Sequence, residues 1–291
     1  MFPVIDDLRS IEFGMPGKSR DNLINFIING NKRATAGLAS DYEKEGEEVE
    51  FVGECLAMLD NDSQHVATLQ VTRVEICRFI DVPDEFALAE AEGDLNAADF
   101  RASHLDYWTR AGETVTDDTL INQIYFSLLP HRLRHLTPSD ADWITRGCQD
   151  EEVQRWTKVP RPYTRKHAES FIETKNGEAA AWAIIDARTQ DPVGVIGIHE
   201  FNLGIANIGY WVAPWGRKSG AASTALRILP TLAMRIGNAH TLQATIAESN
   251  LASRRTAEKA GFSLVGNANE TCPNGEHTAP GLIYQLSISG I

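Results

Sequence analysis

Apolar and polar positions alternate from Asn207 to Pro214 (NIGYWVAP), the pattern of a half-buried strand. A basic turn containing glycine follows (WGRKSGAA). Behind it Leu226, Leu229, Ala233 and Ile236 recur at helical spacing. A second strand comes next, and Asn250 and Ser253 stand three apart at the start of another helix. Pro230 lies inside the helical pattern and predicts a kink or an early stop there. Earlier in the chain, Asp21 to Asn29 (DNLINFIIN) reads as an amphipathic helix stopped by Gly30. VGECLAML, a turn at Asp60-Asn61-Asp62 and HVATLQVTRVEICRFIDV predict strand, turn and long strand. FALAEAEGDLNAADFRASHLDYW reads as mostly helical and acidic, and EKEGEEVE (Glu43 to Glu50) as a solvated loop.

Charge divides this pattern in two. Residues 1–127 carry 10 Lys and Arg against 25 Asp and Glu, a balance of −15, whereas residues 128–291 stand at +2. Two units of different electrostatic character are implied. The join falls near Leu128 to Leu136, where Pro130 breaks the strand-like run YFSLL. The expected division is 1–127, a linker at 128–131, and 132–291. A chain of 291 residues with 43% hydrophobic content suits two domains with sizeable cores.

No run approaches the roughly 20 apolar residues of a membrane span, and MFPVIDDLRS lacks the basic and apolar regions of a signal peptide. Cys55, Cys77, Cys148 and Cys272 lie far apart without metal spacing, and there is no His cluster. A cytoplasmic protein with structural thiols, no metal and no membrane partner is expected.

The turn carries the first chemical signal. Arg217, Lys218, Ser219, Gly220, Ala221 and Ala222 fit R-x-x-G-x-A directly before a helix. A helix start leaves backbone N–H groups unpaired, and its dipole favours an anion. Gly220 lets the backbone approach a phosphate, and Arg217 and Lys218 add charge. Taken alone, the turn reads better as an ordinary basic one.

In context, the region resembles the GNAT N-acetyltransferases. Their pyrophosphate loop, [QR]-x-x-G-x-[GA], is matched by Arg217, Gly220 and Ala222. Asn250, Ser253 and Ala260-Gly261-Phe262 follow in family order. Leu133 to Asp142, Trp156 to Ile172 and IGYWVAP resemble the branch of ribosomal-protein N-terminal acetyltransferases. Lys218 departs from the pattern, where many members have Gly.

The resemblance covers Arg132 to Ile291 and implies acetyl-CoA as co-substrate and an amine acceptor, either a protein N-terminus or a small molecule. It implies cofactor contacts at Tyr210, Trp211, Val212, Arg217, Lys218, Ser219, Gly220, Ala221, Ala222, Asn250 and Ser253. A bulged strand within Tyr210 to Val212 would offer a free N–H to the thioester oxygen. Ser253, and less strongly Tyr210, would protonate the departing sulfur. Glu200 or Glu270 would act as base, and Trp156 would line the acceptor pocket. The plainer readings are a helix cap for Ser253 with Asn250, and solvated carboxylates for the two Glu residues.

Residues 10–127 resemble the ASCH domain, a small β-barrel related to the PUA fold. The matching residues are Gly30, Lys32 and Thr35 (G-x-K-x-x-T), Asp60, and Glu90, Glu92, Gly93 and Asp94. Phe100, Arg101 and His104 stand where the family has W-R-x-x-H, and Ala91 stands where Gly is usual. Some relatives are amidohydrolases acting on N4-acetylcytidine. That implies Thr35 as a nucleophile with Lys32 taking its proton, Glu90 as acid and base, and Arg101 or His104 holding a polar substrate. A structural polar network of Lys32, Glu90 and His104 is the plainer reading. A nucleoside or RNA ligand is a third, though the charge of −15 works against RNA, and a ligand-binding or regulatory module is expected ahead of a hydrolase or an RNA reader. The fold class expected overall is α+β, an N-terminal PUA-like ASCH β-barrel with flanking helices and a C-terminal GNAT mixed α/β sheet.

Overall fold

The structure is a computed structural model that describes residues 3–175 and 180–288. The chain separates into two units, one running to Leu128 and the other from Leu129. Both are mixtures of helix and sheet, as the α+β expectation requires.

The first unit holds β1 (Val4–Ile5), β2 (Leu8–Ile11), α1 (Lys18–Ile28), β3 (Ala34–Leu38), α2 (Ala39–Glu45), β4 (Cys55–Leu59), β5 (His65–Arg78), α3 (Asp84–Glu90), α4 (Ala97–Arg110) and β6 (Leu120–Leu128). Its strands make one sheet in the order β1-β2-β4-β5-β6-β3. Strand alternation gives β6 two buried faces. Ile121 and Tyr125 pack on Phe86, Phe100 and Trp108 of α3 and α4, whereas Ile124 meets Leu56 and Val71. The expected long helix is two helices, because Ala91 adopts φ 54° and Gly93 φ 111° between them. Ala91 shows why glycine is usual here, since a side chain in the left-handed region costs about 1–2 kcal/mol. The expected solvated loop at Glu43 to Glu50 needs correction. Its first residues close α2, and Glu50 is buried, accepting from Tyr42 Oη at 3.0 Å and lying 3.6 Å from Arg9.

The second unit holds β7 (His131–His135), α5 (Ala141–Cys148), α6 (Glu151–Trp156), α7 (Arg165–Lys175), β8 (Ala181–Asp186), β9 (Pro192–Asn202), β10 (Ile205–Val212), α8 (Ala221–Gly237), β11 (Thr241–Ala247), α9 (Leu251–Lys259), β12 (Ser263–Asn274) and β13 (His277–Ser287). The seven strands are ordered β12-β13-β11-β10-β9-β8-β7. Helices cover both faces. Trp143, Ile144, Cys148, Ala168 and Ile172 from α5 and α7 pack on Ala181, Ala183, Ile185 and Val195, and α8 lies on the opposite side against β7 to β11.

Pro230 neither stops nor ends α8, which continues to Gly237. The loss of one backbone donor is outweighed by burial of Ile228, Leu229, Leu232 and Ala233 around it, each worth about 1–3 kcal/mol.

β10 and β11 are parallel neighbours, yet their pairing ends at Ile208 with Ala244. Beyond that point β10 runs on to Val212 against β9, while β11 runs on to Ala247 against β13. The two strands separate and leave a gap in the middle of the sheet.

Candidate active site

Ladder alternation fixes what faces the gap. Ala213 N–H donates to Val193 O at 2.8 Å, so the N–H groups of Ala213, Trp211 and Gly209 turn towards β9. Those of Tyr210 and Val212 turn the other way, into the gap. The expected bulge does not fall within Tyr210 to Val212. The register shift lies between Asn207 and Ile208, because β9 carries the additional residue, His199. Strand separation, rather than a bulge, frees the β10 backbone.

Side chains alternate as well. Tyr210 points to the α9 side, where its Oη lies 2.8 Å from Ser253 Oγ and 3.3 Å from Ser253 O. Burial pushes the Tyr210 phenol up, and the Ser253 hydrogen bond offsets this in part. Ser253 is not the helix cap. Asn250 is, accepting from Ser253 N–H at 3.1 Å, which leaves the Ser253 hydroxyl for Tyr210. Trp211 points to the opposite face, 5.8 Å from Trp143. It fits because residue 147 of α5 is glycine, where a Cβ would stand 2.7 Å from the indole.

The loop at Arg217 to Gly220 ends in Gly220 at φ 86°, and a Cβ there would meet nothing within 4 Å. Thr224 N–H to Gly220 O, at 2.9 Å, is the first helical hydrogen bond of α8. No side chain caps the N–H groups of Ala221, Ala222 and Ser223 before it. Lys218 is exposed at φ 65°. Arg217 is not an unengaged cation, because it pairs with Asp150, the cap of α6. Burial alone would raise the Asp150 carboxyl, but Arg217 and Val153 N–H hold it below its usual range. Ser219 Oγ donates to Gly216 O at 2.8 Å and accepts from His131 Nε2 at 3.1 Å. Burial pushes His131 down, so its neutral ring is the donor that pins the loop to β7.

The remaining candidates are scattered. Glu200 is exposed and accepts from Asn207 Nδ2 at 2.8 Å. Glu270 is exposed on β12, 3.7 Å from Lys158. Trp156 packs against Ala247, Cys272 and Ala279 and donates to Glu152 at 3.1 Å, which puts it near the end of β11. Asp150 as the partner of Arg217 carries no signal in the sequence, because pairing across 67 positions has no local pattern.

In the first unit, Lys32 is buried with Nζ 2.6 Å from Glu92 Oε1 and 3.7 Å from Glu90 Oε1. Glu90 Oε1 also accepts from Ala36 N–H at 3.0 Å, and Oε2 lies 3.3 Å from His104 Nε2. His104 stacks on Phe100 at 3.8 Å. Burial would raise the Glu90 carboxyl, but Lys32 and His104 outweigh it and hold it low. Burial would lower His104, but Glu90 outweighs it and holds the ring above its ordinary value. Among the described residues, no hydrogen bond joins the Thr35 hydroxyl to Lys32 or Glu90. Arg101 donates to Ile80 O at 3.3 Å instead of joining this network. The described residues hold no metal-binding group, and no described helix is long and apolar enough to cross a membrane. Among the described residues none of the four cysteines forms a disulfide.

Residues 131–263 match the acetyltransferase (GNAT) domain, and residues 9–130 match the ASCH domain. The chain thus carries an ASCH domain followed by a GNAT acetyltransferase domain.

A search of curated proteins gave no significant match. Among solved structures, the chain is similar to RimL, a ribosomal L7/L12 α-N-protein acetyltransferase in complex with coenzyme A. The identity is 20%, over 54% of this chain and 94% of that one, with a TM-score of 0.48. A spermidine N-acetyltransferase from Vibrio cholerae in complex with CoA and spermine matches at 18%, over 54% and 95%, with a TM-score of 0.48. An ASCH domain from Lactobacillus crispatus JV V101 matches at 24%, over 42% and 80%, with a TM-score of 0.38.

Proposed function

We propose that the second unit transfers the acetyl group of acetyl-CoA to an amine, a protein N-terminus or a small molecule. The observation that carries this reading is the 2.8 Å contact of Tyr210 with Ser253 beside the gap between β10 and β11. The pyrophosphate would lie on the N–H groups of Gly220 to Ser223, with Lys218 and Arg217 as counter-charges. Binding there would draw Arg217 from Asp150 or share it with the phosphates. The pantetheine arm would run into the gap, and the thioester oxygen would accept from the Tyr210 or Val212 N–H.

The amine attacks the thioester carbon, and the sulfur leaves with the bonding electrons. Tyr210 gives its phenolic proton to that sulfur. A phenol titrates near 10, far below an aliphatic hydroxyl, so Tyr210 is the donor and Ser253 the partner that orients it. This reverses the order expected from the resemblance. Burial keeps the phenol protonated at neutral pH.

For the first unit the same proposal favours a ligand-binding or regulatory role over amide hydrolysis. Lys32 is engaged by two carboxylates, and Thr35 has no hydrogen bond to it. The reaction is tested by screening amines and N-terminal peptides with acetyl-CoA and following thiol release. Acceptor-dependent release supports the proposal, and release at the background rate with every acceptor sinks it.

A further inference from the structure

Backbone N–H groups that receive an anion must be held in place beforehand, because ordering a loop at the moment of binding costs affinity. The loop from Arg217 to Gly220 has little stiffness of its own, with Lys218 at φ 65° and Gly220 at φ 86°. Its support comes from the strands around it. Just before the loop, Trp215 Nε1 donates to Pro192 O at 2.9 Å. Gly216 lies against β9, where a Cβ would stand 2.5 Å from Val193 Cβ. Within the loop the tie is Ser219, whose Oγ donates to Gly216 O at 2.8 Å and lies 3.1 Å from His131 Nε2 at the start of β7.

A hydroxyl has one hydrogen to give, and Ser219 gives it to Gly216 O. Ser219 therefore accepts from His131, and Nε2 carries the ring hydrogen. His131 Nδ1 is left bare, buried and without a hydrogen-bond partner. Asp186 faces His131 across β7 and β8 and favours the charged ring, but burial outweighs it and the ring is neutral. The imidazole is then a donor fixed in one tautomer.

The Ser219 hydroxyl has no hydrogen left for a phosphate, whose oxygens only accept. Its side chain braces the loop, and the backbone faces the ligand. His131 is 1% exposed, so it does not touch a ligand at the loop and acts through Ser219.

We propose that His131 is a positioning residue for the cofactor: through Ser219 it holds the Arg217–Gly220 backbone in the shape that receives the pyrophosphate of acetyl-CoA. This rests on the acetyltransferase reading above.

The test is calorimetric titration of the full chain with acetyl-CoA. His131→Leu keeps the bulk and removes the donor, and His131→Asn keeps an amide that falls one bond short. Each raises Kd about tenfold, the worth of one hydrogen bond. His131→Gln has its amide nitrogen at the chain position of Nε2 and stays within about threefold of wild type. Ser219→Ala binds as weakly as His131→Leu, and the double variant binds no more weakly than either alone, because the two residues form one chain. With an acceptor from the amine screen, kcat of His131→Leu stays within about twofold of wild type. Ser219 is exposed, so Ser219→Ala tests the same chain if neither His131→Leu nor His131→Asn folds. A folded His131→Leu, His131→Asn or Ser219→Ala chain that binds within about twofold of wild type overturns this inference alone. So does a His131→Gln chain no better than His131→Leu, an additive loss in the double variant, or a loss seen in kcat and not in Kd. Absence of acetyl-CoA binding by the wild-type chain overturns the acetyltransferase reading and this inference with it.

Discussion

Tyr210→Phe removes one oxygen atom from the site and leaves the ring in place. The lost hydrogen bond to Ser253, 2.8 Å long, contributes about 1 kcal/mol to folding. That is a small change in stability, because the Ser253 hydroxyl can turn to water. The catalytic effect is larger. General acid help amounts to about 100- to 10,000-fold, or about 3 to 5 kcal/mol of barrier at 1.36 kcal/mol per tenfold. We expect kcat to fall by that factor while the KM for acetyl-CoA stays within about twofold, since the pyrophosphate contacts are elsewhere. Ser253→Ala should fall less, by about tenfold, because it misaligns the phenol without removing it. The assay is steady-state thiol release with an acceptor from the amine screen. A second arm uses an acetyl thioester of an aryl thiol, whose sulfur leaves without a proton. Tyr210→Phe should be nearly silent with that donor. An unchanged kcat with acetyl-CoA, or an equal loss with both donors, refutes proton delivery by Tyr210.

Other consequences concern packing and charge. The folded value of His104 is raised, so its contribution to the first unit is complete below about pH 6.5 and is lost as pH rises through the folded value. The folded value of Glu90 is lowered, so its contribution is present above about pH 4.3 and is lost as pH falls. His104→Gln should flatten the alkaline decline, read by hydrogen exchange of α4 amides between pH 6 and 8.5; an unchanged slope contradicts the pairing. Glu90→Gln strips a buried ion pair of its anion and should cost about 3–5 kcal/mol by urea unfolding. Gly147→Ala puts a methyl group 2.7 Å from the Trp211 indole and should destabilise the second unit by about 1–3 kcal/mol, with no change at the first. Ala91→Gly relieves the left-handed backbone at φ 54° and should stabilise the first unit by up to about 1 kcal/mol.

The legible features were those written in short windows. Alternation over Asn207 to Val212, the Gly220 turn and the Asn250 cap are local, and each reappears as a strand, a left-handed loop end and a helix start. The G-x-K-x-x-T run likewise brought Lys32 to Glu90. What stayed hidden depends on register and distance. The position of the irregularity is set by how β9 pairs with β10, and one residue of slippage moved it from Tyr210–Val212 to His199. Glu50 read as solvent-exposed because its partners, Arg9 and Tyr42, come from other elements. Pro230 was overruled by the burial of the helix around it, a tertiary effect that local propensity does not contain.

The central claim is that the loop at Gly220 and the gap beside Tyr210 hold acetyl-CoA. Calorimetric titration of the full chain with acetyl-CoA tests it most directly, with Gly220→Asp as the comparison. Position 220 is open, with no atom within 4 Å of a Cβ. An aspartate there therefore acts on the ligand through its charge, beyond the backbone strain of about 1–2 kcal/mol at φ 86°. The account predicts saturable one-to-one binding to the wild-type chain and none to a folded Gly220→Asp chain. No heat of binding to the wild-type chain, or equal affinity for both chains, would contradict it.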